Sequence, residues 1–261
     1  LGDGSATLIP EAYISNYSSI TFDNLKIKLV EGALGNNQTN LIRSNRRLSS
    51  VSRDSEMDTQ IGKESALGDY SIYNYPKRFS FGSNEHVSVR LYESRKINYS
   101  KIYVFENVER RQKEEPLEIE FQVQNTMENN LNIPLPQGRI ALYEYSDSAL
   151  EFTGEDNIKQ TPKGEVLTIR AGRSFDVIGK RKVVNFDRQR KSEEASIEVL
   201  INNTKDEKIS IRLEEKILGD WVIKDASHNY IKKDATTIHF PLSISKGKKA
   251  LVTYTYRKEW N

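Results

Sequence analysis

Four carboxylates close together in the sequence are the residues best suited to chemistry. Glu155 and Asp156 directly follow Gly154, and Glu165 and Asp176 lie further along the same stretch. A glycosidase needs two such groups beside the scissile bond, one of them kept protonated by burial. Carboxylates beside a turn glycine also often bond to nearby amides, and the regular spacing of a calcium loop is absent. We therefore take Glu155 and Asp156 as the candidate ligand-binding pair, with hydrolysis of a cell-surface glycan as the alternative.

Residue types for other catalytic or metal chemistry are scarce. The chain has no cysteine, which excludes thiolate nucleophiles, disulfides and zinc–thiolate sites. The three histidines, His86, His228 and His239, lack the close helical spacing of a zinc motif, and no nucleophile-elbow sequence is present. The sequence therefore predicts no catalytic residue, no metal and no cofactor.

The charges are balanced along the chain. There are 39 lysines and arginines against 37 aspartates and glutamates, for a net charge of +2. The densest basic stretch contains Lys180, Arg181, Lys182, Arg188, Arg190 and Lys191. Acidic residues dilute it, and the stacking aromatic residues of single-strand binders are missing. No apolar run has the length of a membrane span. We predict no nucleic-acid partner and no membrane span.

Alternation with a period of two residues dominates the sequence. In residues 117–124, every second residue is apolar and the others are Glu or Gln, which is typical of a half-buried strand. Residues 197–201 and 209–213 repeat the pattern on either side of a polar turn, which predicts a hairpin. Further strands are predicted at residues 139–145, 166–170, 175–186, 236–244 and 250–257. Short strands at such spacing predict an all-β fold, an antiparallel β-sandwich of immunoglobulin-like type, with a barrel as the alternative.

The length of 261 residues and one charged run predict two domains. The run occupies residues 109–115 and ends at Pro116. Residues 1–115 would form a smaller, mostly β domain with a long polar insertion at 35–68, and residues 116–261 would form the sandwich. A hairpin tip within one continuous sheet is the alternative for the charged run. A short helix is also predicted near residues 55–65.

Several segments of the chain, taken in order, resemble one known family. They are residues 132–138, 139–144, 150–178, 219–221, 227–230 and 253–256. Their order and spacing are similar to those of the C-terminal domain of unknown function in mucoidy-inhibitor-A-like proteins. The resemblance implies that family's fold but no activity, because none is established for it. The polar segment at 35–68 departs from the family pattern.

These observations together favour a non-enzymatic function. The sequence has sandwich-type strands, no recognisable active-site motif, and a long polar insertion suited to contacts. We expect a binding or scaffold protein whose partner is a protein or a polysaccharide. The mucoid phenotype in the family's name suggests a cell-surface context, so we expect a periplasmic, cell-envelope or secreted location.

Overall fold

The computed structural model describes residues 4–31, 65–67, 70–146 and 149–260. In these ranges the regular secondary structure is β-strand, and a 3₁₀ turn at Met127–Asn129 is the only helical element. The predicted all-β fold is therefore confirmed. The helix predicted near residues 55–65 and nearly all of the insertion at 35–68 lie outside the described residues.

The strands are numbered in chain order. The first seven are β1 (Ser5–Leu8), β2 (Glu11–Ser15), β3 (Phe22–Glu31), β4 (Ser65–Leu67), β5 (Tyr70–Phe81), β6 (His86–Arg90) and β7 (Arg95–Asn98). The next five are β8 (Ser100–Val108), β9 (Lys113–Gln124), β10 (Gly138–Ser146), β11 (Ala149–Ile158) and β12 (Val166–Arg188). The last six are β13 (Ser192–Asn203), β14 (Ile209–Lys216), β15 (Asp220–Ala226), β16 (Ile231–Lys232), β17 (Thr237–Ile244) and β18 (Lys249–Glu259).

The chain divides into two compact units. One contains the described residues of Thr7–Lys96, and the other contains those before Thr7 and from Ile97 onward. The predicted domain boundary at residue 115 lies inside β9, in the larger unit. The charged run at 109–115 forms the turn between β8 and β9 and the start of β9, and these strands pair as an antiparallel hairpin. This is the alternative that the sequence left open for that run.

The smaller unit contains short antiparallel sheets. β2 pairs with β6, and β3, β5 and β4 form a three-stranded sheet. Phe81, Val89 and Leu91 are its buried apolar residues among those described. The buried Asn16 donates hydrogen bonds from its side-chain amide to the carbonyl oxygens of Ile20 and Gly82, both at 2.8 Å. These bonds hold the loop after β2 beside the end of β5. β1 and β7 form a separate two-stranded sheet.

The larger unit is built on one nine-stranded sheet with the order β15-β18-β13-β12-β9-β8-β14-β17-β16. Neighbouring strands are antiparallel except for β8 and β14, which run parallel. The prediction of a purely antiparallel arrangement is wrong at this pair. A parallel neighbour requires a long connection rather than a hairpin, and the chain forms β9 to β13 before it returns beside β8.

The hairpin predicted between residues 197–201 and 209–213 is also wrong. β13 pairs with β12 and β18, whereas β14 pairs with β8 and β17, so the two strands are not neighbours. Asn203, which is fully buried, holds the connection by donating its amide to three backbone carbonyl oxygens. The polar turn therefore carries the chain across the core, and both strands still bury their apolar faces there.

β12 is one continuous strand, although the sequence predicts two strands that meet at Gly172. Gly172 has a φ of +89°, and the register of β12 against β9 shifts around it. Residues two apart in a regular strand share a face, but here Val177 is fully buried while Phe175 is 89% exposed. The two register shifts over residues 170–178 thus change which side chains face the core without ending the strand.

The nine-stranded sheet curls so that strands far apart in its order share one core. Phe240 on β17 and Tyr254 on β18 lie near opposite ends of the strand order, yet their ring centroids are 5.5 Å apart. Gly179 on β12 makes room for Phe105, because a Cβ at this glycine would lie 2.7 Å from the Phe105 ring. Removal of these apolar side chains from water is the main stabilising contribution to the unit.

A buried ion pair crosses this core. Arg181 on β12 and Glu215 on β14 expose none of their side-chain surface, and Nη2 of the arginine lies 2.9 Å from Oε2 of the glutamate. Arg181 Nε also donates to this carboxylate, and the Tyr254 hydroxyl donates to Oε2 at 2.7 Å. Burial raises the pKa of Glu215, and Arg181 and Tyr254 oppose that effect. Loss of either partner would leave a buried charge uncompensated, which is strongly destabilising.

Tyr254 and Tyr256 provide a matched test of this network, since both are buried on β18. The Tyr256 hydroxyl has no hydrogen-bond partner within the described part of the chain. We expect Tyr254→Phe to lower the free energy of unfolding by about 1–3 kcal/mol, because the Glu215 carboxylate loses a donor. Tyr256→Phe should change it by less than about 0.5 kcal/mol or raise it. Urea denaturation measures both values, and equal losses would contradict the assigned network.

Stability should also fall in alkali because two phenols are buried. Burial, with nearby carboxylates, raises the pKa of Tyr103 and of Tyr256 to about 12. An unfolded chain loses these protons from about pH 10, whereas the folded chain keeps them to about pH 12. The unfolded state then binds fewer protons, so the free energy of unfolding declines as the pH rises from about 10 to 12.

Urea denaturation between about pH 9 and pH 11.5, the range in which phenols titrate, measures this decline. Phenolate absorbance is recorded in parallel. The Tyr103→Phe/Tyr256→Phe variant should show a flatter profile, because Tyr254 is then the only one of the three buried phenols of raised pKa that remains in the described core. An identical decline in the variant would assign the effect to other groups.

Candidate binding surface

The β10–β11 hairpin forms a two-stranded sheet of its own. Its register pairs Tyr143 with Phe152 and Tyr145 with Leu150. Every described side chain between residues 143 and 152 is exposed. This outer half of the hairpin, residues 143–146 and 149–152, therefore stands clear of the core, and we call it the arm.

One face of the arm is apolar. Directly paired residues, and residues two apart on one strand, share a face of a sheet. Tyr143, Tyr145, Leu150 and Phe152 therefore form one surface. The rings of Tyr143 and Phe152 meet edge to face, with centroids 5.7 Å apart and an interplanar angle of 67°. Tyr145 is 75% exposed and Phe152 is 57% exposed. Contiguous exposed apolar residues of this kind mark interaction sites, whereas single ones do not.

The opposite face of the arm is acidic. Glu144 and Glu151 are directly paired across the two strands, and like charges in that position repel each other. Among the described residues, neither carboxylate has a cation within ion-pair distance. The arm is thus amphipathic, with an aromatic face and two carboxylates behind it that no described side chain neutralises.

Asp156 fixes the base of the hairpin to β12. β13 pairs with β12 only from Val177 onward, so the preceding part of that edge of β12 has no strand partner in the described sheet. Asp156 Oδ2 accepts a hydrogen bond from the backbone N–H of Arg170 at 2.8 Å, and Oδ1 accepts one from Asn157 at 2.8 Å. Hydrogen bonds to a carboxylate are stronger than those between neutral groups. The side chain therefore acts as an anchor between β11 and β12.

The two residues of the predicted ligand-binding pair face opposite directions. Glu155 and Asp156 are successive residues of β11, and successive side chains of a strand point to opposite faces. Glu155 Oε2 lies 3.4 Å from Nη1 of Arg139 on β10, in an exposed ion pair. The carboxylates of a glycosidase converge on one bond. The hairpin does not bring these two carboxylates together.

The remaining predicted groups are dispersed. Asp176 lies 3.8 Å from Lys205, and Glu165 is in the turn before β12. The histidines have separate neighbours: His86 stacks on Tyr13, His228 bonds to Ser227, and His239 lies 3.0 Å from Glu214. Within the ranges that the structure describes, no group of three or more His, Cys, Asp or Glu side chains is arranged to hold a metal ion.

The apolar face is a feature that sequence patterns miss. Its four residues alternate with polar residues, as they would in any half-buried strand. Only the tertiary structure shows that all four side chains stay exposed. None of the described segments forms a helix that is both long enough and apolar enough to cross a membrane.

The fold and the arm define a nearly all-β protein with a projecting aromatic hairpin. Comparisons of this chain with protein-family models, with curated proteins and with solved structures find no match. Functional assignment therefore depends on the chemistry of the surface itself.

The anchoring role of Asp156 can be separated from the surface role of its neighbour. We expect Asp156→Ala to lower the free energy of unfolding by about 1–3 kcal/mol, because two backbone amides lose a charged acceptor. Glu155→Ala, which removes only an exposed ion pair, should cost less than about 0.5 kcal/mol. Hydrogen exchange at the amides of Arg170 and Asn157 should accelerate in the first variant only. Equal protection in both variants would show that Asp156 does not hold the hairpin.

Proposed function

We propose that this chain is a non-enzymatic binding or scaffold protein whose arm docks into an apolar groove of a protein partner. The observation that carries the proposal is the contiguous exposure of Tyr143, Tyr145, Leu150 and Phe152 on one face. Large aromatic side chains with few rotatable bonds supply much of the binding energy in protein interfaces. The arm presents three of them beside a leucine.

The construction of the arm also favours a partner. A two-stranded hairpin by itself is only marginally stable in water. Its base is held by Asp156, whereas the described side chains of its outer half are exposed. Burial of that face against a groove would remove apolar surface from water, at roughly 25 cal/mol per Å². A partner would therefore stabilise the arm as well as bind it.

The acidic face indicates the chemistry of that partner. Glu144 and Glu151 repel each other across the strands, so a groove that encloses both faces of the arm, with lysine or arginine on the wall opposite the carboxylates, would relieve the repulsion. Anionic lipid would have the opposite effect, because the same two charges would be repelled by the membrane surface. These charges favour a protein partner with basic residues around its groove over a membrane as the binding partner.

We further propose that the larger unit is an immunoglobulin-like β-sandwich in which two parts of the curled sheet face each other. The contact between Phe240 and Tyr254 supports this arrangement. The resemblance to mucoidy-inhibitor-A-like proteins supports a periplasmic, cell-envelope or secreted location. An extracytoplasmic scaffold with a protruding arm is consistent with that resemblance.

Photo-crosslinking from the arm would identify and test the partner. A crosslinking amino acid at Ser146 should capture the protein that covers the arm, and the purified partner can then be titrated. We expect Tyr145→Ser/Phe152→Ser to weaken binding by at least about tenfold, since interface aromatics are frequent hot spots. Glu144→Lys/Glu151→Lys should also weaken it by reversing the charge that meets the basic rim of the groove.

The matched control removes two exposed aromatic residues from the smaller unit. Tyr13→Ser/Tyr17→Ser should leave the affinity within about twofold, because exposed residues outside an interface are nearly neutral. Unchanged affinity of the arm variants, or crosslinks to lipid alone, would refute the proposal.

A further inference from the structure

We propose that the larger unit binds an acidic polysaccharide through a second surface, which we call the cationic rim. It consists of Arg110 and Arg111 in the β8–β9 turn, Arg188 at the end of β12, and Arg190 and Lys191 in the turn that follows. All five side chains are exposed. Among the described residues, none of the five has a carboxylate within ion-pair distance. The rim is made of residues that the arm does not use, so this site goes beyond the proposed function.

Two aromatic rings orient the rim. The guanidinium carbon of Arg110 lies 4.6 Å from the centroid of the Phe186 ring, and that of Arg188 lies 5.8 Å from the Trp260 ring. The backbone N–H of Trp260 donates to the carbonyl oxygen of Lys191 at 3.1 Å, which fixes the end of the chain beside the turn. A guanidinium over a ring keeps its N–H groups available at its edge. Phe186 lies within the basic run itself, whereas Trp260 is distant from it in sequence and is brought beside it by folding.

Hydrogen bonds from buried side chains hold the β8–β9 turn in place. Arg181 donates to the carbonyl oxygen of Arg111 at 2.8 Å and also to that of Glu109. The Glu109 carboxylate accepts hydrogen bonds from Lys258 at 2.6 Å and from the backbone N–H of Leu218 at 3.1 Å. Although burial opposes it, these donors hold the pKa of Glu109 below its ordinary value. The turn that presents two arginines is therefore pre-organised, which reduces the entropy lost on binding.

The carboxylates near the rim are those of Glu109, Asp187, Glu193 and Glu194. Glu109 and Glu193 both lie within ion-pair distance of Lys258, at 2.6 and 3.3 Å. Asp187 accepts a hydrogen bond from the side chain of Gln189 at 3.2 Å. Lys258 offsets one of these four negative charges, so the five cations of the rim still exceed the acidic charge around them, although the whole chain is close to neutral. A local excess of this kind attracts an anionic polymer.

The details of the rim favour carboxylated sugars over other polyanions. The fork of a guanidinium matches a planar carboxylate with two parallel hydrogen bonds. Phe186 and Trp260 remain 38% and 37% exposed, so an apolar sugar face can contact the uncovered edge of each ring beside the cation. Single-stranded nucleic acid requires open aromatic faces on which its bases stack. Here the arginines lie over these rings, which disfavours base stacking.

Binding of the full chain to polygalacturonate tests the proposal, with fully methyl-esterified polygalacturonate as the neutral control. We expect saturable binding to the acid form, weakened by salt, and no binding to the ester, because esterification removes the carboxylates that the guanidiniums bind. Arg110→Gln/Arg188→Gln should weaken binding by at least about tenfold. Arg110→Lys/Arg188→Lys keeps the charge but loses the forked pair of N–H donors. Its affinity should therefore lie between that of the wild type and that of the glutamine variant.

The matched control for charge is Lys224→Gln/Lys249→Gln, which removes two exposed lysines outside the rim. Its affinity should stay within about twofold of the wild type, because general attraction by the net charge is weak in a near-neutral chain.

Equal losses of affinity in the Arg110→Gln/Arg188→Gln and Lys224→Gln/Lys249→Gln variants would overturn the proposal, as would equal binding of the ester. Tighter binding of a single-stranded oligonucleotide or of anionic phospholipid vesicles than of polygalacturonate would assign the rim to that ligand instead. Thermal unfolding of each variant confirms that it is folded before titration.

Discussion

The ion pair between Arg181 and Glu215 joins β12 and β14, two strands that β9 and β8 separate in the nine-stranded sheet. Five strand spacings separate β18 from β14 and would amount to about 24 Å in a flat sheet, whereas the Tyr254 hydroxyl lies 2.7 Å from the Glu215 carboxylate. The contact depends on the curl of the sheet, and the curl encloses the core. Tyr254 reaches the same carboxylate from β18, so three distant parts of the sheet meet at one buried charge.

This ion pair also connects the interior to the surface. A buried salt bridge is weak support for stability, because desolvation of both ions offsets their attraction. Its structural effect lies in the remaining N–H groups of Arg181, which bond to the backbone of the β8–β9 turn. The turn in consequence holds Arg110 over Phe186. Arg181 thus contacts both the core and the turn that carries part of the cationic rim.

Much of the fold could be predicted from local patterns, but its pairings could not. Alternation located β9, β13, β14, β17 and β18, since each buries one face and the period of two records that burial. The same pattern cannot specify a partner strand. β13 and β14 each present an apolar face to the core, and a polar turn joins them, yet Asn203 directs the chain across the core instead of into a hairpin. Strand pairing depends on contacts between residues far apart in sequence.

The sequence by itself determined that the chain is nearly all β, that it lacks cysteine, and that its charges balance. It also directed attention to the stretch around Glu155 and Asp156, where the hairpin is anchored. The tertiary structure alone decided that these two carboxylates face opposite ways and that the arm is uncovered. It also decided that Phe186 and Trp260 lie beneath arginines of the rim. Composition and the period of apolar residues are local properties of a chain. The exposure of a side chain and the meeting of distant side chains depend on which strands become neighbours.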